Sequence, residues 1–159
     1  MQGLKGKTII VTGGGGGIGG ATCKRLAQEG AKLAVLDRDL GAAQKTAAQI
    51  TEAGGTALAL ACDITQRTDI DAALAQIEAQ LGPVDVLVNN AGWDVFKPFT
   101  QTNEHEWERL IAINLTGALH MHHAVLPRMV ERRAGRIVNI ASDAARVGSS
   151  GEAVYAACK

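Results

Sequence analysis

Residues 8–37 read TIIVTGGGGGIGGATCKRLAQEGAKLAVLD, and this stretch decides the fold. The β-branched, apolar run of 8–12 predicts a strand, and the apolar spacing of 18–28 predicts a helix. The inner face of that helix is expected to carry Ile18, Ala21, Leu26 and Ala27. A run of glycines joins the two elements so closely that a flexible linker is the weaker interpretation.

A strand, a tight glycine turn and a helix together form a phosphate cradle, because the free amides at the helix N-terminus face the anion. Glycine is needed in such a turn because a Cβ would block it or hold a phosphate away from the backbone. We therefore predict that the pyrophosphate of a dinucleotide is bound by Gly13, Gly17, Ile18 and Gly19.

The aspartate after the second predicted strand, 32–36, supports this interpretation. Asp37 follows the glycines at roughly the 20-residue separation typical of a ribose-binding carboxylate. A carboxylate there accepts hydrogen bonds from the ribose hydroxyls and repels a 2′-phosphate, which favours NAD. Two alternatives stay open. Asp37 can instead cap the next helix, and the neighbouring Arg38 can pair with the 2′-phosphate of NADP.

Short strands and helices continue to alternate along the chain. The patterns predict helices at 41–53, 69–80 and 104–132, and strands at 57–61, 84–88 and 136–140. Because crossovers between parallel strands are right-handed, the sequence predicts an α/β fold, a Rossmann-type, doubly wound parallel sheet with helices on both faces. Its apolar strands are expected to be buried on both sides. No fixed-period repeat or linker interrupts the sequence, so we expect one domain over 1–159.

The third helix is predicted to begin with a capping box formed by Thr68 and Asp71. That assignment leaves Asp63, which follows the third strand, available for another role.

Composition excludes several classes of partner. Hydrophobic residues make up 47% of the chain and the formal net charge is +0, so nothing indicates binding to nucleic acid or to an anionic membrane. No apolar run reaches membrane-spanning length, and the polar start MQGLKGK does not resemble a signal peptide, so a cytoplasmic location is expected. The three cysteines are interpreted as apolar fillers. His120 and His123 share a helix face, but packing or a subunit contact is favoured over a metal, and we predict no metal site.

Tyr155, the only tyrosine, precedes Lys159 by four residues. On a helix these positions share a face, so the ammonium is expected to lie beside the phenol. A neighbouring cation favours the ionised form of a phenol, which can then exchange a proton with a substrate oxygen near neutral pH.

Four segments together resemble the short-chain dehydrogenase/reductase family: TGGGGGIG from Thr12, NNAG from Asn89, Ser142 after the fifth strand, and YAACK from Tyr155. The resemblance covers the whole chain. It implies a catalytic group of Asn114, Ser142, Tyr155 and Lys159. It also implies cofactor contacts from Asp63 to the adenine and from Ile64, Asn89, Ala91, Gly92, Tyr155 and Lys159.

Each implied role has a physical basis. Ser142 can donate a hydrogen bond to the substrate oxygen while Tyr155 exchanges its proton, and Lys159 can hold the nicotinamide ribose and stabilise the phenolate. A buried amide such as that of Asn114 is costly unless it is hydrogen-bonded, so it either orders a water beside the lysine or is a satisfied polar residue of the helix core. For the serine, the alternative is a cap at the strand end.

The substrate is expected to contact Trp93, Ser142 and Tyr155, with Asp94, Phe96 and residues 143–152 nearby. The segments NNAGWDVFKPF and SDAARVGSSGEAVYAACK most resemble family members that oxidise 2-hydroxycyclohexanecarboxyl-CoA, a β-hydroxyacyl-CoA, with NAD during aromatic-acid breakdown. A 3-oxoacyl-thioester reductase is the broader alternative, and a non-catalytic dinucleotide-binding module is the alternative from another class. The resemblance also implies a homotetramer, and a native chain that continues beyond Lys159 because family members carry further strands.

Overall fold

The computed structural model describes residues 3–159. Five strands alternate with helices in the order expected for an α/β protein. The strands are β1 (Thr8–Thr12), β2 (Lys32–Asp37), β3 (Thr56–Ala61), β4 (Val84–Asn89) and β5 (Arg136–Asn139). The helices are α1 (Gly17–Gln28), α2 (Leu40–Glu52), α3 (Arg67–Leu81), α4 (Glu104–Ile111), α5 (Gly117–Glu131), α6 (Asp143–Val147) and α7 (Ala153–Cys158).

All pairings in the sheet are parallel, and the strand order is β3-β2-β1-β4-β5. Ile10 of β1 lies between Ala34 on one side and Leu87 on the other. The chain therefore winds outward from β1 in one direction and then returns to wind in the other. This reversal opens a crevice at the carboxyl ends of β1 and β4, where sheets of this kind bind ligands.

Two separate apolar cores cover the two faces of the sheet. On one face, α3 and α5 pack Ile77 and Met121 against Leu87. On the other, α1 and α2 pack Cys23 and Ile50 against a different set of strand residues. Helices on both faces of a parallel sheet confirm the predicted doubly wound fold.

The structure corrects the predicted inner face of α1. Leu26 and Ala27 pack against the core as predicted. Ile18, however, is 69% exposed and Ala21 is also exposed, whereas Gly19, Gly20 and Cys23 are buried. The helix approaches the sheet through its glycines, so the side without bulky groups faces inward. A 3.6-residue pattern of apolar side chains does not reveal a contact made by glycine backbone.

Two further expectations were wrong. The helix α3 begins at Arg67 after Gln66, with no side-chain cap, and Asp71 pairs with Arg67 instead of closing a capping box. The strand β5 is not buried on both sides, since Val138 is 45% exposed. β5 lies at the edge of the sheet within the described residues, so one flank has no neighbouring strand to cover it.

The predicted helix at 104–132 contains a π-helical turn at Ala112–Thr116 between α4 and α5. An extra residue per turn shifts the backbone bonding from i−4 to i−5, and such turns often occur at functional sites. Asn114 lies at the centre of this turn and is buried.

Within residues 3–159, no helix combines the length and apolar character that crossing a membrane requires. The same residues hold no cluster of three His, Cys, Asp or Glu side chains suited to a metal ion. The Nδ1 atoms of His120 and His122 contact the carbonyl oxygens of Ile64 and Ala118, and His123 contacts Arg67, so the three rings serve different partners.

Candidate functional site

A cavity of about 910 Å³ runs along the carboxyl ends of the strands, over the switch point between β1 and β4. It is lined by Gly13, Gly16, Gly17, Ile18, Gly19, Asp37, Arg38, Cys62, Asp63, Ile64, Thr65, Asn90, Ala91, Gly92, Trp93, Asp94, Arg109, Ala112, Ile113, Ile140, Ala141, Ser142, Tyr155 and Lys159. The glycine loop and the tyrosine–lysine pair, far apart in sequence, thus face the same space.

The glycine loop is shaped by two different requirements. Gly13 has a φ of +64°, and a Cβ on Gly19 would overlap the Gly13 carbonyl oxygen, so both positions need glycine for backbone reasons. A Cβ on Gly17 would meet no atom within 4 Å, although Gly17 lines the cavity. That space lies beside the first turn of α1, where amide groups have no acceptor within the helix and can face an anion.

The loop is anchored to the end of β4 by side-chain hydrogen bonds. The hydroxyl oxygen of Thr12 accepts from the amides of Asn90 and Ala91, each at 3.0 Å. The side-chain amide of Asn90 donates to the carbonyl oxygens of Thr12 and Gly13, at 2.9 and 3.2 Å. Because the anchors join two strands that flank the crevice, the loop geometry is fixed before any ligand binds.

Two carboxylates line the far end of the cavity. Asp37 accepts hydrogen bonds from the amides of Gly15 and Asp39, at 3.0 and 3.1 Å, so it also holds the glycine loop. It does not cap α2, because Asp39 does so through Ala42. Asp63 accepts from both the amide and the hydroxyl of Thr65 through one oxygen, and this local turn was not anticipated.

The asparagine that lines the cavity is Asn90 and not Asn89, which was predicted as a cofactor contact. The Asn89 side chain is buried on the α5 side of the sheet, where it donates to Asn139 at 3.0 Å and contacts His122. In NNAG, the first asparagine is the last residue of β4 and the second follows it, so a register of one residue decides which side chain faces the cavity.

Ser142 faces the cavity, as predicted, and also caps a helix, which was the alternative role. It is the N-cap residue of α6, where its Oγ accepts from the amide of Ala144 at 3.2 Å. A hydroxyl that accepts in this way keeps its hydrogen for donation. Since Ser142 lines the cavity, capping orients the hydroxyl and leaves its proton available to a ligand oxygen.

Tyr155 lies in α7, and Lys159 follows the last residue of that helix. The Lys159 Nζ atom is 5.9 Å from the centre of the Tyr155 ring. Burial lowers the pKa of the lysine from its ordinary value of 10.5, because a desolvated ammonium is less stable. The ammonium also lies beside Gly92, where an added Cβ would be 3.6 Å from Nζ and 3.0 Å from the Asn114 Oδ1 atom.

Asn114 does not line the cavity but supports its wall. Its amide donates to the carbonyl oxygens of Trp93 and Leu110 at 2.7 and 3.0 Å, and its Oδ1 accepts from the Trp93 amide at 3.2 Å. The buried side chain is therefore satisfied by backbone groups. These bonds fix the segment that follows Gly92, and Oδ1 lies on the same side of that glycine as the lysine.

The segment after Gly92 forms the other end of the cavity. The Trp93 ring lies against the guanidinium of Arg109, whose Cζ atom is 4.1 Å from the ring centre. Asp94 shares a carboxyl–carboxyl contact with Glu152, and its pKa is raised, first by burial and also by that neighbour. Phe96 is 75% exposed and packs against Gly151, so it contributes less to the cavity wall than its apolar character predicted.

Sequence reasoning missed Asn90, Thr65 and Arg109 as cavity residues. The NNAG motif contained a signal for the first, but Arg109 reaches the cavity only because α4 packs beside the loop after β4. Cys62 also lines the cavity, and burial raises the pKa of its thiol to about 12, so it keeps its proton there. This agrees with its interpretation as a filler.

The sequence profile described as short chain dehydrogenase matches residues 7–159. The chain belongs to the short-chain dehydrogenase family. The glycine loop, the serine and the tyrosine–lysine pair are thus found in a chain of that family and face one cavity.

Relatives are named for several alcohol and ketone substrates. A 2-(S)-hydroxypropyl-CoM dehydrogenase of Xanthobacter autotrophicus is 40% identical over 98% of this chain and 61% of its own length. A sorbitol dehydrogenase of Cereibacter sphaeroides is 40% identical over 98% of this chain and 60% of its own. A crystal structure of NAD⁺-bound xylitol dehydrogenase superposes with a TM-score of 0.95 at 37% identity and covers 99% of this chain.

The chain spans 61% of the length of that xylitol dehydrogenase and a similar share of the two curated relatives. None of these three names is that of a 2-hydroxycyclohexanecarboxyl-CoA dehydrogenase, so the family assignment stands and the narrower resemblance does not follow from them.

Proposed function

We propose that the protein containing this chain oxidises a secondary alcohol to a ketone with NAD, and catalyses the reverse reduction. The observation that carries the proposal is the shared cavity: a glycine loop shaped for a pyrophosphate lies in the same space as Ser142, Tyr155 and Lys159. A non-catalytic dinucleotide-binding module would need the first feature and not the second.

The cradle fits a dinucleotide on structural grounds. Gly17 leaves open space beside the first turn of α1, and the amides of that turn supply the donors that a pyrophosphate needs. Asp37 supports NAD as the cofactor, because its carboxylate faces the cavity where a 2′-phosphate would be repelled. Arg38 lines the same end and is the reason to test NADP alongside.

The protein residues divide the remaining work. Bound NAD would supply the acceptor for the hydride that leaves the alcohol carbon. Ser142 donates its free hydrogen to the substrate oxygen and fixes its position. Tyr155 takes the hydroxyl proton as a general base, and the Lys159 ammonium stabilises the phenolate and holds the cofactor ribose. Asn114 keeps the segment after Gly92 in place through its two hydrogen bonds to the Trp93 backbone.

For the substrate we propose a β-hydroxyacyl-CoA such as 2-hydroxycyclohexanecarboxyl-CoA, with a 3-oxoacyl thioester as the alternative in the reverse direction. The support is the likeness of NNAGWDVFKPF and SDAARVGSSGEAVYAACK to enzymes of that specificity. The Trp93 ring supplies an apolar wall beside the catalytic group, which suits an alicyclic body. The implied homotetramer and the roles of the site residues remain predictions.

The test is an assay of the full-length protein with NAD and a matched panel of alcohols, followed by NADH absorbance. The panel contains 2-hydroxycyclohexanecarboxyl-CoA, a straight-chain 3-hydroxyacyl-CoA, sorbitol and xylitol. We expect kcat/KM for a hydroxyacyl-CoA to exceed that for either polyol by at least about 100-fold, or about 2.7 kcal/mol. Preference for a polyol would overturn the thioester proposal and keep the dehydrogenase. No turnover of any alcohol would overturn both.

A further inference from the structure

Two arginines line the cavity, one at each end, and neither forms an ion pair with another described residue. Arg38 lies beside Asp37 at one end, and Arg109 lies beside Trp93 at the other. Within residues 3–159, the arginines that pair with a carboxylate are Arg25, Arg67, Arg128 and Arg146, and all four lie outside the cavity. A cation that faces a cavity without an ionic partner is suited to bind an anion.

The Trp93 ring orients the Arg109 guanidinium. With Cζ at 4.1 Å from the ring centre, the cation lies over the ring. A guanidinium held on an aromatic face keeps the donors on its edge available, and these match the two oxygens of a phosphate or a carboxylate. Trp93 itself is held by Asn114 through two backbone hydrogen bonds, so the arginine rests on a fixed support.

The charges around Arg109 do not neutralise it. Asp94 lines the same end of the cavity, but its carboxyl is engaged with Glu152 and with the amide of Val95. The raised pKa of Asp94 means that this carboxyl holds its proton more readily than an exposed aspartic acid does. Lys159 adds a second cation to the cavity wall. Among the described residues, Arg109 itself has no carboxylate within ion-pair distance.

The cofactor pyrophosphate does not account for Arg109. The site that we propose for it is formed by the glycine loop and the start of α1, whereas Arg109 belongs to α4 and lies on the Trp93 ring. The group that reaches Arg109 must come from the molecule that approaches Trp93.

We propose that Arg109 is a specificity-determining residue that binds an anionic oxygen group of the substrate at the mouth of the cavity. The inference rests on the proposed function and deepens it. Two groups have this chemistry. One is a phosphate of a carrier such as CoA, which forms a thioester with the acyl group, and the other is a carboxylate on the substrate itself. A neutral alcohol without either group gains nothing from Arg109.

Three substrates separate these sources in the full-length protein. The first is the hydroxyacyl-CoA, the second is the same acyl group on N-acetylcysteamine, which has no phosphate, and the third is the free hydroxy acid. Arg109→Gln removes the charge, and Arg109→Lys keeps the charge but cannot form bidentate hydrogen bonds. Arg136→Gln is the control. Arg136 is exposed, lies outside the cavity, and its guanidinium donates to the Gly135 carbonyl oxygen.

If the phosphate is the source, Arg109→Gln raises KM for the CoA ester at least about tenfold and leaves the N-acetylcysteamine ester within twofold. If the carboxylate is the source, only the free acid is affected. Arg109→Lys should fall between wild type and Arg109→Gln in either case. Equal losses for the charged and uncharged substrates, or a weaker NAD affinity of the same size, would overturn the inference.

If the protein turns over no thioester, the proposed substrate is wrong but the anion site is not yet tested. A binding measurement then tests that site. Calorimetric titration of the NADH-loaded protein with 4′-phosphopantetheine, pantetheine and the free hydroxy acid reads the anion site directly. The inference predicts that one anionic probe binds more tightly than pantetheine, and that Arg109→Gln abolishes the difference. If no anionic probe gains affinity from Arg109, the inference is wrong.

Discussion

The two ends of the cavity are built in different ways. The glycine loop presents only backbone atoms, and short polar side chains hold it through hydrogen bonds. Thr12 and Asn90 link it to the end of β4, and Asp37 links it to the end of β2. The segment at 93–97 instead presents large side chains, of which the Trp93 ring packs against Arg109 and Phe96 is largely exposed. The proposed dinucleotide site thus depends on a backbone shape that few substitutions can preserve, whereas the proposed substrate end is formed by side chains that can be exchanged.

The largest effect is expected from a substitution that prevents proton transfer from the substrate and leaves the glycine loop unchanged. Tyr155→Phe keeps the ring beside Lys159 but deletes the phenolic oxygen that we propose takes the substrate proton. We expect kcat to fall by at least about 1,000-fold, or about 4 kcal/mol, with NADH affinity within twofold of wild type. Stopped-flow turnover and NADH fluorescence titration measure the two quantities. Turnover above about a tenth of normal would contradict the role of the phenol.

A substitution in the glycine loop should instead distort the proposed pyrophosphate site. Gly19→Ala places a Cβ onto the Gly13 carbonyl oxygen, whereas in the matched variant Gly17→Ala the Cβ meets no protein atom within 4 Å. Overpacking of this kind costs about 1–3 kcal/mol, so Gly19→Ala should lower both thermal stability and NAD affinity, the latter about 100-fold. Gly17→Ala should keep wild-type stability and weaken NAD alone. Equal behaviour of the two variants in melting and titration would refute the backbone account.

A smaller effect is expected at the ribose end. Asp37→Ser removes the carboxylate that repels the 2′-phosphate of NADP and lets that phosphate pair with Arg38. The preference for NADP over NAD should therefore rise at least about tenfold, or about 1.4 kcal/mol. Because Asp37 also accepts from the Gly15 amide, Asp37→Asn serves as a control that keeps an acceptor oxygen without the charge. kcat/KM for both cofactors decides the matter. An unchanged ratio in both variants means that another group reads the ribose.

The pH dependence should reflect the buried lysine. The Lys159 ammonium is present below its lowered pKa and is lost as pH rises through it, so the oxidation rate should decline at a pH below the ordinary 10.5. Lys159→Arg keeps its charge to much higher pH, so any residual activity should show an alkaline decline that moves upward or disappears. An identical alkaline limb in both proteins would contradict the assignment.

The smallest effect is expected at the exposed rim. Phe96→Ala removes a ring that is 75% exposed, so the free energy of unfolding should change by less than about 0.5 kcal/mol. NAD affinity should also be unchanged, while KM for the substrate can move. Denaturant unfolding and cofactor titration provide the measurements. A stability loss of 2 kcal/mol or more, on the scale of a buried residue, would show that the rim is part of the core.

The glycine loop and the alternating elements could be predicted because their signals are local. The run at 8–37 contains strand, turn and helix within one stretch, and Tyr155 and Lys159 are neighbours on one turn. The predicted order of elements and parallel sheet were therefore correct, with ends shifted by a residue or two.

What the sequence did not reveal depends on packing between distant segments. The choice between Asn89 and Asn90 is set by where β4 ends and which way each side chain then faces. The contact of Arg109 with Trp93 requires α4 to lie beside the loop after β4. The inner face of α1 was predicted correctly at Leu26 and Ala27 but not in its first turns, because glycine makes close contact there without an apolar side chain. Each of these features involves the site, where local patterns and the final structure most often diverge.

The central claim is that one cavity brings an alcohol carbon and NAD together for direct hydride transfer. The most direct measurement uses a hydroxyacyl-CoA carrying deuterium on the carbinol carbon, with the full-length protein and NAD in ordinary water. The account predicts one deuterium per molecule of NADH formed and a slower single turnover than with the protium substrate. Loss of the deuterium to solvent, or binding of NAD with no NADH formed from any alcohol tested, would contradict it.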